Sequence, residues 1–337
     1  MAAVYSLVAV AAIALIAALA GQSGGARTLL GVAIPYAALT IFLAGFCYRV
    51  LRWAWSPVPF RIPTTCGQQK SLRWIKASSL DNPATGLGAL GRMALEVLLF
   101  RSLFRNNRNR LDEGRLIFGE DKFLWLAALA FHWSLLMILL RHLRLLVQPV
   151  PAFVTLLEKL DGFFQFGTPE IYVSDVVLIG ALAYLLARRL RSPLVRYVSL
   201  FSDYFALFLL LGIALTGVLM RYFTRVDVVA VKQFALGIVT FRPAVPPTLS
   251  AMFMVHLVFV GTLAAYFPFS KLMHMGGIFL SPTRNLANNN RAKRHVNPWN
   301  YPVKTHAYAE WEEEFRDKLK AAAIPLDNED GRSVNAD

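Results

Sequence analysis

The sequence predicts an all-α membrane protein: a polytopic transmembrane helical bundle of about six spans, with a cytoplasmic insert and a C-terminal tail. Three observations carry that expectation. Hydrophobic residues make up 56% of the 337 residues and the mean hydropathy is positive, beyond the balance of ordinary soluble domains. Six apolar runs, 3–20, 29–51, 121–146, 171–190, 203–222 and 248–271, reach or approach the about 20 residues that a helix needs to cross a bilayer. The basic residues are one-sided. With Met1 on the cytoplasmic side, the loop 49–122 holds 13 Lys and Arg, the loop 188–196 holds 4 and the tail from Lys271 holds 10. That places 27 of the chain's 35 on one face and leaves 8, around Arg27, Arg141–Lys159 and Arg221–Arg242, on the other. This is the positive-inside pattern. The net charge of +14 is therefore a topology signal and an attraction for anionic membrane lipid. No recognition module accompanies it, so nucleic acid is not expected as a partner.

Taken in order, 1–28 is an N-terminal transmembrane helix and its connection. Its "AALAGQ" resembles a signal-peptidase site, but no Lys or Arg precedes it, so the segment is expected to be retained. Residues 29–51 form a second helix carrying Cys47, read as ordinary packing. The insert 52–120 opens with the proline-rich, extended "SPVPFRIPTTCGQQ" and continues as an interfacial helix over Leu87–Phe104, with Asn82 as its cap and Pro83 at its first position. "GLGALG", Gly86 to Gly91, has no strand before it and is read as a chance match to a nucleotide-binding pattern. The core 121–280 holds the remaining spans. The fifth opens at Ser202 and Asp203 as capping residues, and Pro268 lies near the end of the sixth. The tail 281–337 is polar, with an amphipathic helix around Glu310–Lys320.

The chemistry-bearing residues are histidines. The chain has 6. His295 and His306 lie in the polar tail and are read as solvated. His132 and His142 lie on the third span, His256 and His274 on the sixth. Polar groups at membrane depth are costly and tend to mark function. Antiparallel helices match His142 with His256 and His132 with His274. Two stacked imidazole pairs suit bis-histidine ligation of haem iron. Zinc or a di-iron centre needs carboxylates or thiolates, and neither span contains a Glu. The 2 cysteines and the absence of a CxxCH motif argue against an iron–sulfur cluster or a covalently attached haem. Ten residues of helix rise about 15 Å and eighteen about 27 Å, so the two pairs cannot both be level on ideal, parallel helices; tilt absorbs part of the mismatch, and a kink or local unwinding at Pro268 absorbs more.

"FHWSLLMILLRH", "RRLRSPLVR" and "MVHLVFVGTLAAYFPFSKLMHM" together resemble the nitrate reductase gamma-subunit family of di-haem cytochromes b, in which the ligand spacings are ten and eighteen. The extra first helix, "PFRIPTTCGQQKSLRW" and "NPWNYPVKTHAY" are similar to the DsrM-type branch, found in the sulfite-reduction-associated Dsr complex. The resemblance implies a quinone- or quinol-linked oxidoreductase subunit with two haem b. His132 and His274 would ligate the inner iron, His142 and His256 the outer. Arg141, Arg144 and Arg221 near the outer edge, and Arg49, Arg52 and Lys271 near the inner, are candidates for the propionates. Gly212, Gly217 and Gly261 are candidates for close approach to a porphyrin face. Lys159 marks the quinone site, with Glu158 or Asp161 as proton relay.

The same resemblance implies electron transfer between membrane menaquinone or ubiquinone and a cytoplasmic iron–sulfur subunit similar to heterodisulfide reductase, in dissimilatory sulfur metabolism. It also implies a second membrane subunit, a periplasmic multihaem cytochrome c, a periplasmic iron–sulfur protein and a place in the bacterial cytoplasmic membrane. "PTTCGQQ" and "NPWNYPV", with Trp299 and Tyr301, are expected to form the dock for the iron–sulfur subunit, with Cys66 inside it. The rival readings are a nitrate reductase-like or other quinone-linked cytochrome b, a haem-free membrane anchor, and a transporter using the histidines as proton relays.

The charge distribution fixes a topology that reporter fusions check. Fusions at Arg110 and Asp337 should report the cytoplasm and fusions at Lys159 and Val231 the opposite side. The reverse pattern would overturn the assignment.

Overall fold

The computed structural model describes residues 1–56, 67–104, 108–162, 171–291 and 306–327. It is a helical bundle. Among the described residues five helices are long and apolar enough to cross a membrane: α1 (Ala2–Ala20), α2 (Gly24–Ala54), α4 (Lys122–Leu146), α7 (Phe201–Phe223) and α9, whose apolar span runs Ala251–Phe269. The sixth expected span, 171–190, is helix α6 (Val173–Arg191). It packs between α4 and α7, but it carries Asp175 in its first turn and three arginines in its last. Between the spans lie α3 (Gly86–Leu99), α5 (Ala152–Asp161) and α8 (Val228–Val239), and after them α10 (His274–Leu280) and α11 (Tyr308–Ala321). The tail from Lys293 is a separate compact unit, and within it α11 occupies the stretch expected around Glu310–Lys320.

Packing follows the apolar faces. α1 lies against α7 and α9, α9 also against α2, and α7 against α6, which in turn lies against α4. The main core joins Val10 and Ala17 of α1 to Phe205 and Leu209 of α7, Phe234 of α8, and Phe253, Met254 and Phe259 of α9. A smaller core joins α4, α6 and α7 through Phe131, Leu135, Ile138, Leu178, Leu182 and Leu210, with Leu263 of α9 against it. Glycines set two of the close approaches. A Cβ on Gly212 would lie 2.7 Å from the Phe259 ring, and one on Gly261 2.8 Å from Ile34. Both are helix contacts, which small residues permit in a membrane bundle.

Several local expectations are corrected. The cap of α3 is Thr85, whose Oγ1 accepts the Gly88 N–H at 3.2 Å. Asn82 is instead buried: its side chain donates to the Gly67 carbonyl at 2.6 Å and accepts from Asn288 at 2.7 Å, while the Asn288 N–H donates to the Pro83 carbonyl at 2.7 Å. A buried amide needs such partners, and here one comes from the insert and one from the start of the tail. Helix α3 ends at Leu99 because Phe100 turns into the left-handed region, φ 49 and ψ 47; a short turn, Arg101–Phe104, follows. Its exposed residues include Leu87 and Leu90, and its buried ones Arg92 and Glu96. The polar face is inward and the apolar face outward, as an interfacial helix requires.

Further along, 108–119 is a β-hairpin, β1 (Arg108–Asp112) and β2 (Arg115–Gly119), in antiparallel register from Arg108↔Gly119 to Asp112↔Arg115. Its two-residue turn, Glu113 (φ 48) and Gly114 (φ 78), has the double positive φ that such hairpins favour. Helix α7 starts at Phe201, not at Ser202 or Asp203. Asp203 is its third residue, and its carboxylate accepts the Leu200 N–H at 3.0 Å. Gly86–Gly91 form the first turns of α3, and among the described residues before them there is no strand. Cys47 is an exposed residue of α2. Cys66, Trp299 and Tyr301, and with them the expected dock, lie outside the described residues.

The break in α9 is built as the sequence suggests. The α-helix ends at Tyr266, and Phe267–Phe269 and Lys271–Met273 are single 3₁₀ turns joined through an extended Ser270 (φ −118, ψ 177). Pro268 is buried, and a Cβ on Gly45 of α2 would come within 2.7 Å of the proline Cβ. Gly45→Ala should therefore overpack this contact at a cost of about 1–3 kcal/mol, seen as a lower thermal midpoint in detergent. Gly91→Ala, with nothing within 4 Å of the new Cβ, should gain about 0.5–1 kcal/mol. Equal midpoints for the two variants would contradict this packing.

Candidate functional site

The four helix-borne histidines fall into two levels along the bundle. At the level nearer the insert, the rings of His132 on α4 and His274 on α10 lie 5.9 Å apart, centre to centre, with their planes at 81°. His142 lies ten residues further along α4, and His256 lies on α9 eighteen residues before His274. Among the described residues α4 and α9 make little direct backbone contact: α4 leans on α6, α6 on α7 and α7 on α9. The histidine-bearing helices thus face each other across a gap bridged by side chains. Leu135, Ile138 and Leu263 lie between the two levels along the chain and pack in the smaller apolar core.

Each ring is oriented in the same way. His132 Nδ1 meets the Ala128 carbonyl at 2.8 Å, His142 Nδ1 the Ile138 carbonyl at 2.7 Å and His274 Nδ1 the Lys271 carbonyl at 2.8 Å. A carbonyl only accepts, so the proton sits on Nδ1 in all three. His256 Nδ1 meets Thr216 Oγ1 at 2.8 Å. That hydroxyl donates to the Gly212 carbonyl at 2.7 Å, so it too accepts from the ring. Every Nε2 is therefore left as a bare lone pair, the form in which imidazole binds a metal. Gly217 keeps the chain clear of His256: a Cβ there would sit 3.5 Å from the ring.

These residues fit a haem. A metal between two imidazoles lies about 2 Å from each nitrogen, and each ring centre lies about 1 Å beyond that, so bis-ligated rings sit about 6 Å apart, as His132 and His274 do. Among the described residues no three His, Cys, Asp or Glu gather in a metal-binding group. A haem iron needs only two protein ligands, because the macrocycle supplies the rest. Pro268 and the 3₁₀ turns resolve the register mismatch by ending α9 before His274, which opens the separate helix α10. Lys271, whose carbonyl holds His274, is itself pinned through Nζ to Asp203 at 2.8 Å.

At the far level a buried polar cluster surrounds Arg141, the neighbour of His142. Arg141 is 8% exposed. Its Nη2 donates to Asp175 at 2.7 Å and Ser174 at 3.1 Å, and its Nε lies 3.2 Å from Asp161 as an ion pair. Asp161 accepts from the Ser174 amide at 2.8 Å and hydroxyl at 2.6 Å. A π-helical turn, Leu219–Phe223, brings two further groups in; such turns are frequent at functional sites. Tyr222 donates to Asp175 at 2.7 Å and accepts the Tyr172 N–H at 3.0 Å. The Arg141 and Arg221 guanidinium carbons lie 3.8 and 4.1 Å from the Tyr172 ring centre. Arg144 is paired with Glu158 at 2.8 Å, and Lys159 is exposed on the same helix α5. Among the described residues Arg221 is the one of these three arginines without a carboxylate partner. At the other level Arg49 stands 5.4 Å over Trp53.

Sequence reasoning passed over Thr216, Asp175, Tyr172, Tyr222 and Phe100. Asp175 carried a signal, as a charge near the start of an apolar run. Phe100, half-buried, sits edge-on to His132 at 4.8 Å. The Arg141 cluster makes a direct prediction. Arg141→Ala leaves the buried Asp161 and the half-buried Asp175 without their cation, at a cost of about 3–5 kcal/mol, and should lower the thermal midpoint sharply. Adding Asp161→Asn and Asp175→Asn should restore part of the loss. A neutral Arg141→Ala would contradict the pairing.

Comparison with known proteins shows the family. Residues 93–292, which include all four histidines, match the nitrate reductase gamma subunit family. The chain is 46% identical over 276 residues to the Hdr-like menaquinol oxidoreductase cytochrome b-like subunit of Archaeoglobus fulgidus, covering 80% of this chain and 82% of that protein. It is 43% identical over 277 residues to the protein of the same name from Archaeoglobus profundus, covering 79% and 81%. With that match over the span that holds both imidazole levels, the chain belongs to the nitrate reductase gamma-subunit family.

Proposed function

We propose that the chain is a di-haem b subunit that passes electrons between membrane quinone and a cytoplasmic iron–sulfur subunit. The observation that carries this reading is the set of four imidazoles, each with Nδ1 engaged, two of which, His132 and His274, face each other with ring centres 5.9 Å apart. His132 and His274 would hold the inner iron, and His142 and His256 the outer. When bound, each haem supplies a one-electron carrier inside the bilayer. The chain's own contribution is to orient the ligands, keep the space between the levels apolar and secure the outer end with the Arg141 cluster. The relatives' name, menaquinol oxidoreductase, supports menaquinol as the substrate class. Oxidation of a quinol releases two electrons and two protons.

Lys159, Glu158 and Asp161 remain the proposed quinone-site residues, with distinct parts. Asp161 is fixed in the buried cluster, so it holds the site's frame. Lys159 is exposed and Glu158 is tied only to the half-exposed Arg144; these two face the substrate and its protons. Arg221, free of a carboxylate, is the proposed partner for an outer propionate. The "Hdr-like" part of the relatives' name supports a partner resembling heterodisulfide reductase; the further membrane and periplasmic subunits and the role in sulfur metabolism are proposed from the sequence resemblance alone. The insert and the tail would face the cytoplasm, and the chain would lie in the cytoplasmic membrane.

Haem content of single variants tests the assignment. His132→Ala or His274→Ala should each reduce two haems per chain to one, losing the same haem. His142→Ala or His256→Ala should each lose the other. Loss of one and the same haem in His132→Ala and His256→Ala would overturn the pairing. A wild-type chain without haem absorbance would favour an anchor instead.

A further inference from the structure

Phe100 has an uncommon backbone. It ends α3 in the left-handed region, φ 49 and ψ 47, a conformation that helix ends usually give to glycine and that a bulky side chain adopts only under constraint. Such outliers persist where the surroundings over-determine them, and they cluster at functional sites.

The surroundings do over-determine this one. Two indoles of α4 fasten the end of α3. Trp125 donates to the Leu99 carbonyl at 2.7 Å and Trp133 to the Leu98 carbonyl at 3.0 Å, so two of the free carbonyls at the helix end are taken by the helix that carries His132. On the other side, Glu96 accepts from the Ser102 amide and hydroxyl and lies 3.5 Å from Arg284, in the turn that follows the helix carrying His274. Held between these fixings, the Phe100 ring stands edge-on to His132, centres 4.8 Å apart and planes at 89°. Phe131 flanks the same imidazole at 4.7 Å, and His274 lies across from it at 5.9 Å.

We infer that Phe100 is a positioning residue for the inner iron ligand: the docked end of α3 holds the phenyl edge against His132 and sets the plane of its imidazole. The inference rests on the haem reading above. It adds that the insert, and not the transmembrane helices alone, tunes the inner haem. Ligand-plane orientation and ligand surroundings act on the iron's electronic state, one of the means by which a protein adjusts a haem.

The test uses purified full-length chain with its haems. Phe100→Gly suits the left-handed backbone and so protects folding. Phe100→Ala removes the ring on a less relaxed backbone, and Phe100→Tyr keeps the aromatic edge. The readouts are the two midpoint potentials and the low-spin electron paramagnetic resonance signals. Phe100→Gly and Phe100→Ala should keep two haems per chain and shift the potential and the largest g value of one haem only, the haem that His132→Ala removes. Phe100→Tyr should restore wild-type values. Unchanged signals in both Gly and Ala variants, or equal movement of both haems, would overturn the inference while leaving the di-haem reading in place. A wild-type chain with no haem would overturn both.

Discussion

An imidazole binds a metal through a nitrogen that carries no proton, and a ring in a membrane interior has no water to decide which nitrogen that is. Here the decision is made for each ring by a fixed acceptor. Three are main-chain carbonyls within one helical turn, at Ala128, Ile138 and Lys271, and the fourth is the Thr216 hydroxyl. Much else follows from this. The acceptors near His132 and His142 come with a regular helix, so α4 needs only the ten-residue spacing. His274 needs a carbonyl three residues back at a helix start, which the 3₁₀ turn at Lys271–Met273 supplies. His256 has to reach a neighbouring helix, which requires α7 and α9 to approach closely, and Gly212 and Gly217 allow that.

The two levels differ in what supports them. The far level rests on a compact set of ionic hydrogen bonds around Arg141, linking α4, α5, α6 and α7. Buried charges of this kind are costly to bring out of water and strongly destabilising when half removed. The cluster thus fixes the end of α4 beside His142 and leaves Lys159 on the exposed side of α5, with Glu158 half-buried beside it. The level nearer the insert is held by parts distant in sequence: Asp203 grips Lys271, and Asn82, Glu96 and the two indoles bind insert, tail and α4 together. In the proposed orientation, the end where electrons meet a soluble partner is also the end whose ligand environment depends on the insert.

What was legible in the sequence is what local periodicity determines. Apolar run lengths located the spans, and Pro268 between His256 and His274 pointed to the stretch where α9 departs from regular helix. What was not legible depends on contacts far along the chain. Asn82 looks like a helix cap until Asn288, more than two hundred residues later, takes its carbonyl oxygen. Asp161 looks like a loop charge until Ser174 and Arg141 enclose it. The run 171–190 counts as a span by length, yet Asp175 and three arginines mark it as a helix whose first turn serves the polar cluster. Phe100 carries no local sign at all, since its backbone angle is imposed by α4 and the tail.

Two irons, each between two opposed imidazoles, are the centre of this account. Locating them directly is the strongest test: anomalous diffraction at the iron edge from crystals of the purified chain. The account predicts two iron peaks, one midway between the His132 and His274 rings and one between the His142 and His256 rings, separated by the layer of Leu135, Ile138 and Leu263. A single peak, no peak, or an iron bound by two histidines of the same helix would contradict it.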